Sequence, residues 1–145
     1  KKNESFAIPE SVGARDDNGL DIYLAASKLW LDGPFHRSLF LNATLRATKA
    51  NQGGLLGFGG DRRNRLELQA EASAGLLITR QWAVGMEYRQ KPDNLGFARE
   101  DDWYDFFVGW FPSKRVSLVA AWSDLGSITG FEDQTGVYLS LQVSQ

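Results

Sequence analysis

The chain has 145 residues, with Lys+Arg 16, Asp+Glu 18 and a net charge of -2. That is one domain's length, and too nearly neutral for the basic face that nucleic-acid binding needs. Zero Cys and one His exclude disulfide scaffolds, thiolate metal sites, thiol catalysis and any multi-His metal site within this chain.

Residues 1–19 carry Asp16-Asp17-Asn18-Gly19, which has calcium-like composition but not the ligand spacing of a calcium loop. They read as a loop. A first strand is placed at 20–31, where Leu20, Ile22, Leu24, Ala26 and Trp30 share a face with Lys28, an intrusion that a bulge would explain. A second, at 38–50, sets Leu39, Leu41, Ala43, Leu45 and Ala47 against Phe40, Asn42, Thr44, Arg46 and Thr48. The third, at 65–78, has Leu66, Leu68, Ala70, Ala72, Ala74, Leu76 and Ile78 on one face. Arg65, Glu67, Gln69, Glu71 and Ser73 lie on the other. Such strict alternation is a strand signal, because a helix would scatter these charges around its face. Four further strands follow the same rule at 82–91, 102–111, 115–124 and 135–144.

Seven strands of about 9–11 residues are long for a soluble protein and suit a bilayer crossing. No run of about 18 apolar residues exists to form a membrane-spanning helix. A mean hydropathy of -0.32 does not exclude a transmembrane barrel, where only alternate residues face lipid. The connections alternate in length. Residues 32–37, Thr79-Arg80-Gln81 and Pro112-Ser113-Lys114 are short, whereas 51–64, 92–101 and 125–134 are long. Short periplasmic turns and long extracellular loops have this rhythm. Residues 1–19 then fall on the extracellular side and Gln145 on the periplasmic side. An odd strand number cannot close with both termini on one side, so the chain is expected to be the C-terminal part of a longer barrel. The absence of a signal peptide at the start agrees with that expectation.

Aromatics on the apolar face divide into two levels. Trp30, Trp82 and Trp110 lie near short turns, and Tyr88, Tyr104 and Trp122 near long loops, as rings at two membrane interfaces would. The step from Trp82 to Tyr88 spans only roughly 15 Å, against an apolar band of about 25 Å. The opposite face supplies a candidate lumen lining of Arg46, Glu67, Glu71, Glu87, Arg89, Lys91 and Asp105. A three-residue hairpin at 79–81 sets Glu71 opposite Arg89 and Gln69 opposite Lys91. The next register is expected to bring Asp105 beside Arg89, and Arg46 near Glu67 or Gln69. This charge ladder reads either as a solute-selecting lining or as a self-neutralising plug.

Asp16, Asp17, Glu100, Asp101, Asp102, Glu132 and Asp133 are expected on the extracellular rim, either solvated or holding cations that bridge lipopolysaccharide phosphates. The Gly53–Gly60 stretch lacks the Lys-Ser/Thr ending of a phosphate loop and reads as a flexible loop. His36 in a short turn has no nucleophile arranged beside it, so no catalytic residue, metal or cofactor is assigned and the chain is not expected to be an enzyme. Pro112 is expected to end a strand.

Several stretches resemble a proteobacterial family known as domain of unknown function 3034. They are Leu45–Gln52, Gly54–Asp61, Ala83–Arg89, Lys91–Gly96, Glu100–Asp102 and Gly136–Gln142. The resemblance implies an exported outer-membrane-type barrel roughly twice this length. It brings no catalytic residue and no substrate. The end at Val143-Ser144-Gln145 lacks the terminal aromatic usual for outer-membrane barrels.

The sequence thus reads as an all-β, antiparallel up-and-down transmembrane β-barrel in the Gram-negative outer membrane, of which 1–145 is one part. A passive, porin-like channel for small solutes is the expected function. Its partners would be outer-membrane lipid, lipopolysaccharide and the strands or subunits that complete closure. The alternatives are a structural barrel whose loops bind lipopolysaccharide or an envelope protein, and a soluble ligand-binding β-barrel.

Overall fold

A computed structural model describes residues 7–97, 99–127 and 131–144. Its main feature is one antiparallel sheet of seven strands, paired strictly in chain order. These are β2 (Ile22–Trp30), β3 (Leu39–Thr48), β5 (Glu67–Leu77), β6 (Trp82–Arg89), β7 (Trp103–Ser113), β8 (Val116–Asp124) and β9 (Thr135–Val143). All seven expected strands are present, each within a few residues of its expected bounds. A smaller sheet pairs β1 (Ala14–Asp16) with β4 (Phe58–Gly60), and a short helix α1 (Ala7–Ser11) precedes it. These three elements lie where the sequence suggested only loops, within 1–19 and 51–64.

Among the described residues β2 and β9 are not paired, so the sheet is open and no closed barrel is seen. Both edge strands run in the same direction, being first and seventh of an antiparallel series. Direct pairing between them would be parallel, which an up-and-down antiparallel wall does not contain.

Register is continuous from β2 to β3, with Lys28 opposite Leu41. Lys28 therefore lies on the apolar face without a bulge. The bulge lies in β7, where Trp110 pairs with Leu118 but Ser113 with Val116. Pro112 sits in that irregularity, where its missing N–H costs no ladder bond. Contrary to the expectation at Pro112, β7 continues through it. The hairpin at 79–81 forms as expected, with Ile78 N–H donating to Trp82 O at 2.8 Å.

The two faces differ in an unusual way. On β3 the apolar Leu41, Ala43 and Leu45 are exposed, while Asn42, Thr44 and Arg46 between them are half-buried. On β7 Tyr104, Phe106, Val108 and Trp110 are exposed, while Asp105 and Phe107 are half-buried and Gly109 is buried. Exposure reaches 75% at Leu24 and 69% at Leu139. The buried hydrophobic residues are only Ala14, Ala50, Leu56, Ala83 and Leu95 among those described. The sheet thus turns its polar side inward. Phe107 lies across Gly85 on that inner side, and a Cβ at Gly85 would overlap its ring.

A second region packs at the long-loop end. Residues 49–66, 90–97, 99–102 and the α1–β1 segment form a cap. Its small core joins Ala14, Leu56 and Leu95 to partly buried Val12. Asn51 and Asn94, both fully buried, hold it together. Asn51 Nδ2 donates to Leu56 O at 3.2 Å and Gly59 O at 2.8 Å. Asn94 Nδ2 donates to Asn51 Oδ1 at 3.0 Å and Lys49 O at 3.3 Å. Gly60 is required here because a Cβ would strike Asn94 O. The Gly53–Gly60 stretch is thus an ordered, largely buried part of the cap, not a flexible loop.

Candidate functional site

The inner face places Arg46, Glu67, Glu71, Glu87, Arg89 and Asp105 together, through period-two alternation on four adjacent strands. Arg46 pairs with Gln69 in register, yet its Nη2 meets Glu71 Oε1 at 2.5 Å. Arg89 lies opposite Glu71, as expected, with Nε 3.5 Å from Oε2. One carboxylate therefore serves two guanidinium groups. Glu67 turns away to Arg63 and Arg65, at 3.2 and 3.6 Å.

The expected neighbour of Arg89 is corrected. Asp105 pairs with Glu87, and Arg89 pairs with Trp103. The ladder of alternating sign therefore breaks at β6–β7, where two acids face each other. No ion pair reaches Glu87 or Asp105 among the described residues, and Asp105 Oδ1 is buried without a hydrogen bond. Like charges directly opposite are destabilising, so this pair is a cost that packing alone does not explain. A cavity of about 330 Å³ opens beside it, lined by Asn42, Glu71, Ser73, Glu87, Arg89 and Asp105 among others.

Lys91 lies past the end of β6 and does not pair with Gln69 across the ladder. Its Nζ sits 3.1 Å from the Trp103 ring centroid, and the Arg89 guanidinium carbon is 5.9 Å from the same centroid. The sequence did not single out Trp103. It breaks the apolar alternation of its strand by one position, and that was the available signal.

The outer face carries the expected aromatics in cross-strand pairs. Trp82 and Trp110 stack with centroids 5.9 Å apart, Tyr88 and Tyr104 tilt at 5.1 Å, and Trp122 stacks on Phe106 at 6.1 Å. Trp30 lies 4.7 Å from Lys28 Nζ. The apolar face also extends beyond these rings. Leu66 and Ile78 are both exposed at opposite ends of the β5 line, a span of roughly 30 Å at ordinary strand rise and barrel tilt.

The acidic rim separates into two groups. Asp16, Asp17, Glu132 and Asp133 are exposed. Glu100 is not on a solvated rim: it is 5% exposed, and both its oxygens accept from Gln52 N–H at 3.1 and 3.0 Å. Burial pushes its carboxyl up to about 7 despite that backbone donor and Lys91 nearby. Asp101 accepts from Ser127 N–H at 3.2 Å and Oγ–H at 2.6 Å, which holds its carboxyl below the usual range. Asp102 accepts from Tyr88 O–H at 2.6 Å and Lys91 N–H at 3.0 Å. Each of these three acids accepts a backbone N–H, so they act as fasteners between loops. No group of three or more His, Cys, Asp or Glu suited to a metal occurs among the described residues. His36 lies 3.0 Å from Asp32 on an exposed turn.

The fold and site together define an antiparallel β protein with an apolar outer face, a charged inner face and a hydrogen-bonded cap at one end. The chain belongs to the family described as protein of unknown function DUF3034, whose family model matches residues 1–142. Neither the curated proteins nor the solved structures contain a match.

Proposed function

We propose that this chain is part of the wall of an outer-membrane β-barrel that passes small solutes along its charged inner face. One observation carries the reading: the exposed side of the sheet is the apolar side. Apolar faces of this extent aggregate in water and are the normal state of a wall in lipid. No helix among the described residues is long and apolar enough to cross a membrane, so the strands would do so. Nine to eleven residues in β2, β5 and β9 reach roughly 23–28 Å at a barrel tilt, close to the apolar band of about 25 Å. The unpaired edges of β2 and β9 await further strands, from the same chain or another subunit. The cavity beside Glu87, Arg89 and Asp105 would lie on the solute path.

Gel migration of native protein from the membrane fraction, boiled and unboiled, tests the wall. A boiling-dependent shift is expected, and unshifted protein in the soluble fraction would return the soluble ligand-binding barrel. Single-channel conductance tests the path, because Arg89→Glu should move ion selectivity toward cations. The ordered cap favours a second reading, in which the long-loop end binds lipopolysaccharide or an envelope protein. A boiling shift without conductance would select it.

A further inference from the structure

Beneath the cap lies a cavity of about 50 Å³, walled by the inner face on one side and the cap loops on the other. At about 10–15 Å³ for each water-sized occupant, it holds one small ion with a few waters. We propose that it binds a small monoanion of the size of chloride or formate, held between the Lys91 ammonium and the Trp103 indole N–H.

Three observations point there. First, Lys91 Nζ and Trp103 Nε1 are both buried donors with no acceptor among the described residues. The Trp103 ring covers one side of the ammonium, which leaves its other N–H groups without an acceptor. A buried charge in that state is costly until an anion meets it. Second, Gln69 lines the same cavity at 4% exposure, and its Oε1 has no donor. An amide can present its NH₂ end in place of its oxygen without changing shape, so Gln69 can donate to an anion. Third, the charged groups on the wall are Arg46, Arg89 and Lys91 against Glu71 and Glu100. Arg46 and Arg89 share the single carboxylate of Glu71. Glu100 directs both oxygens at Gln52 N–H. The balance is positive, so a cation is disfavoured and an anion would neutralise it.

The titrations run in one direction. Burial pushes Lys91 down to about 8, and Glu100 ionises at about 7. Raising pH through that range removes positive charge and adds negative charge, so anion affinity should fall.

The test uses the whole protein in detergent, with melting temperature measured as sodium chloride replaces sodium gluconate at constant ionic strength. Gluconate is too large for the cavity. A saturable rise in melting temperature is expected, weakening from pH 6 to pH 9. Lys91→Met should abolish it. Trp103→Phe, which keeps the ring and removes the N–H, should weaken apparent affinity roughly three- to tenfold. A response that is absent, unsaturable, or unchanged in Trp103→Phe overturns the site. The outcome does not depend on lipid outside the sheet, so it stands or falls separately from the channel reading.

Discussion

The sheet and the cap solve opposite packing problems within one chain. The sheet exposes its leucines and tryptophans and turns glutamate and arginine inward. The cap buries two asparagines and a glutamate around a core of three buried apolar residues. Backbone hydrogen bonds hold the sheet whatever its solvent, since every strand but the two edges is paired on both sides. The cap has almost no ladder and depends on individual side chains that reach backbone groups. Its stability is therefore specific to single residues, whereas that of the sheet is spread over many.

Single substitutions should break the two regions differently. The largest effect is expected from Asn51→Leu, which orphans Leu56 O and Gly59 O and removes one of the two acceptors of Asn94 Nδ2. At about 1–3 kcal/mol for each buried group left unpaired, the cap should lose on the order of 4 kcal/mol. Proteolysis should then open residues 49–66 and 90–102 while the sheet stays intact. Simultaneous loss of both regions would show that they fold as one unit. Next, Ala72→Arg places a charge on the exposed apolar face of β5. It should cost about 2–4 kcal/mol of unfolding free energy in lipid vesicles, against about 0.5 kcal/mol for a surface change in water. Ser73→Arg, one residue on but facing inward, should cost less, and equal costs would dismiss the lipid face.

A third effect is pH-dependent. Glu100 has a folded pKa raised to about 7 from 4.5, so its neutral form favours the cap. That contribution is fully present below 4.5 and is lost as pH rises through 7, on the order of 3 kcal/mol. Lys91 is lowered to about 8 from 10.5. Its charge penalises the cap below 8, and the penalty lifts as pH rises through 10.5. Amide exchange in the cap should therefore be least protected between about pH 7 and 8. Glu100→Gln should flatten the acid side of that profile, and an unchanged profile would assign the dependence to another group. The smallest effect is expected from Trp82→Leu, which removes the stack on Trp110 at about 1 kcal/mol. Its measurement in lipid and in detergent would sharpen the contrast, because interfacial anchoring adds to the loss only where an interface exists.

The charged inner face was only partly legible in sequence. Glu71 opposite Arg89 followed from the length of the 79–81 hairpin, because a tight turn fixes register. Asp105 opposite Glu87 did not, since the long 90–102 connection leaves the offset of β7 free. Lys91 was expected in the lumen lining and Glu100 on the extracellular rim, for nothing local reveals that a neighbouring loop will cover them. Asn51 and Asn94 carry the cap but read as turn residues, which is what Asn most often is.

The sequence by itself determined the seven strands, their order and which side of each is apolar. Side chains alternate with a period of two, short turns force the strands they join to pair, and both are properties of contiguous residues. Only the tertiary structure decided that the apolar side faces outward and that 49–66, 90–97 and 99–102 fold into a cap. Only it decided which charges are buried within that cap. Those outcomes depend on contacts between segments up to 48 positions apart, as between Gln52 and Glu100. No local pattern encodes the desolvation those contacts impose.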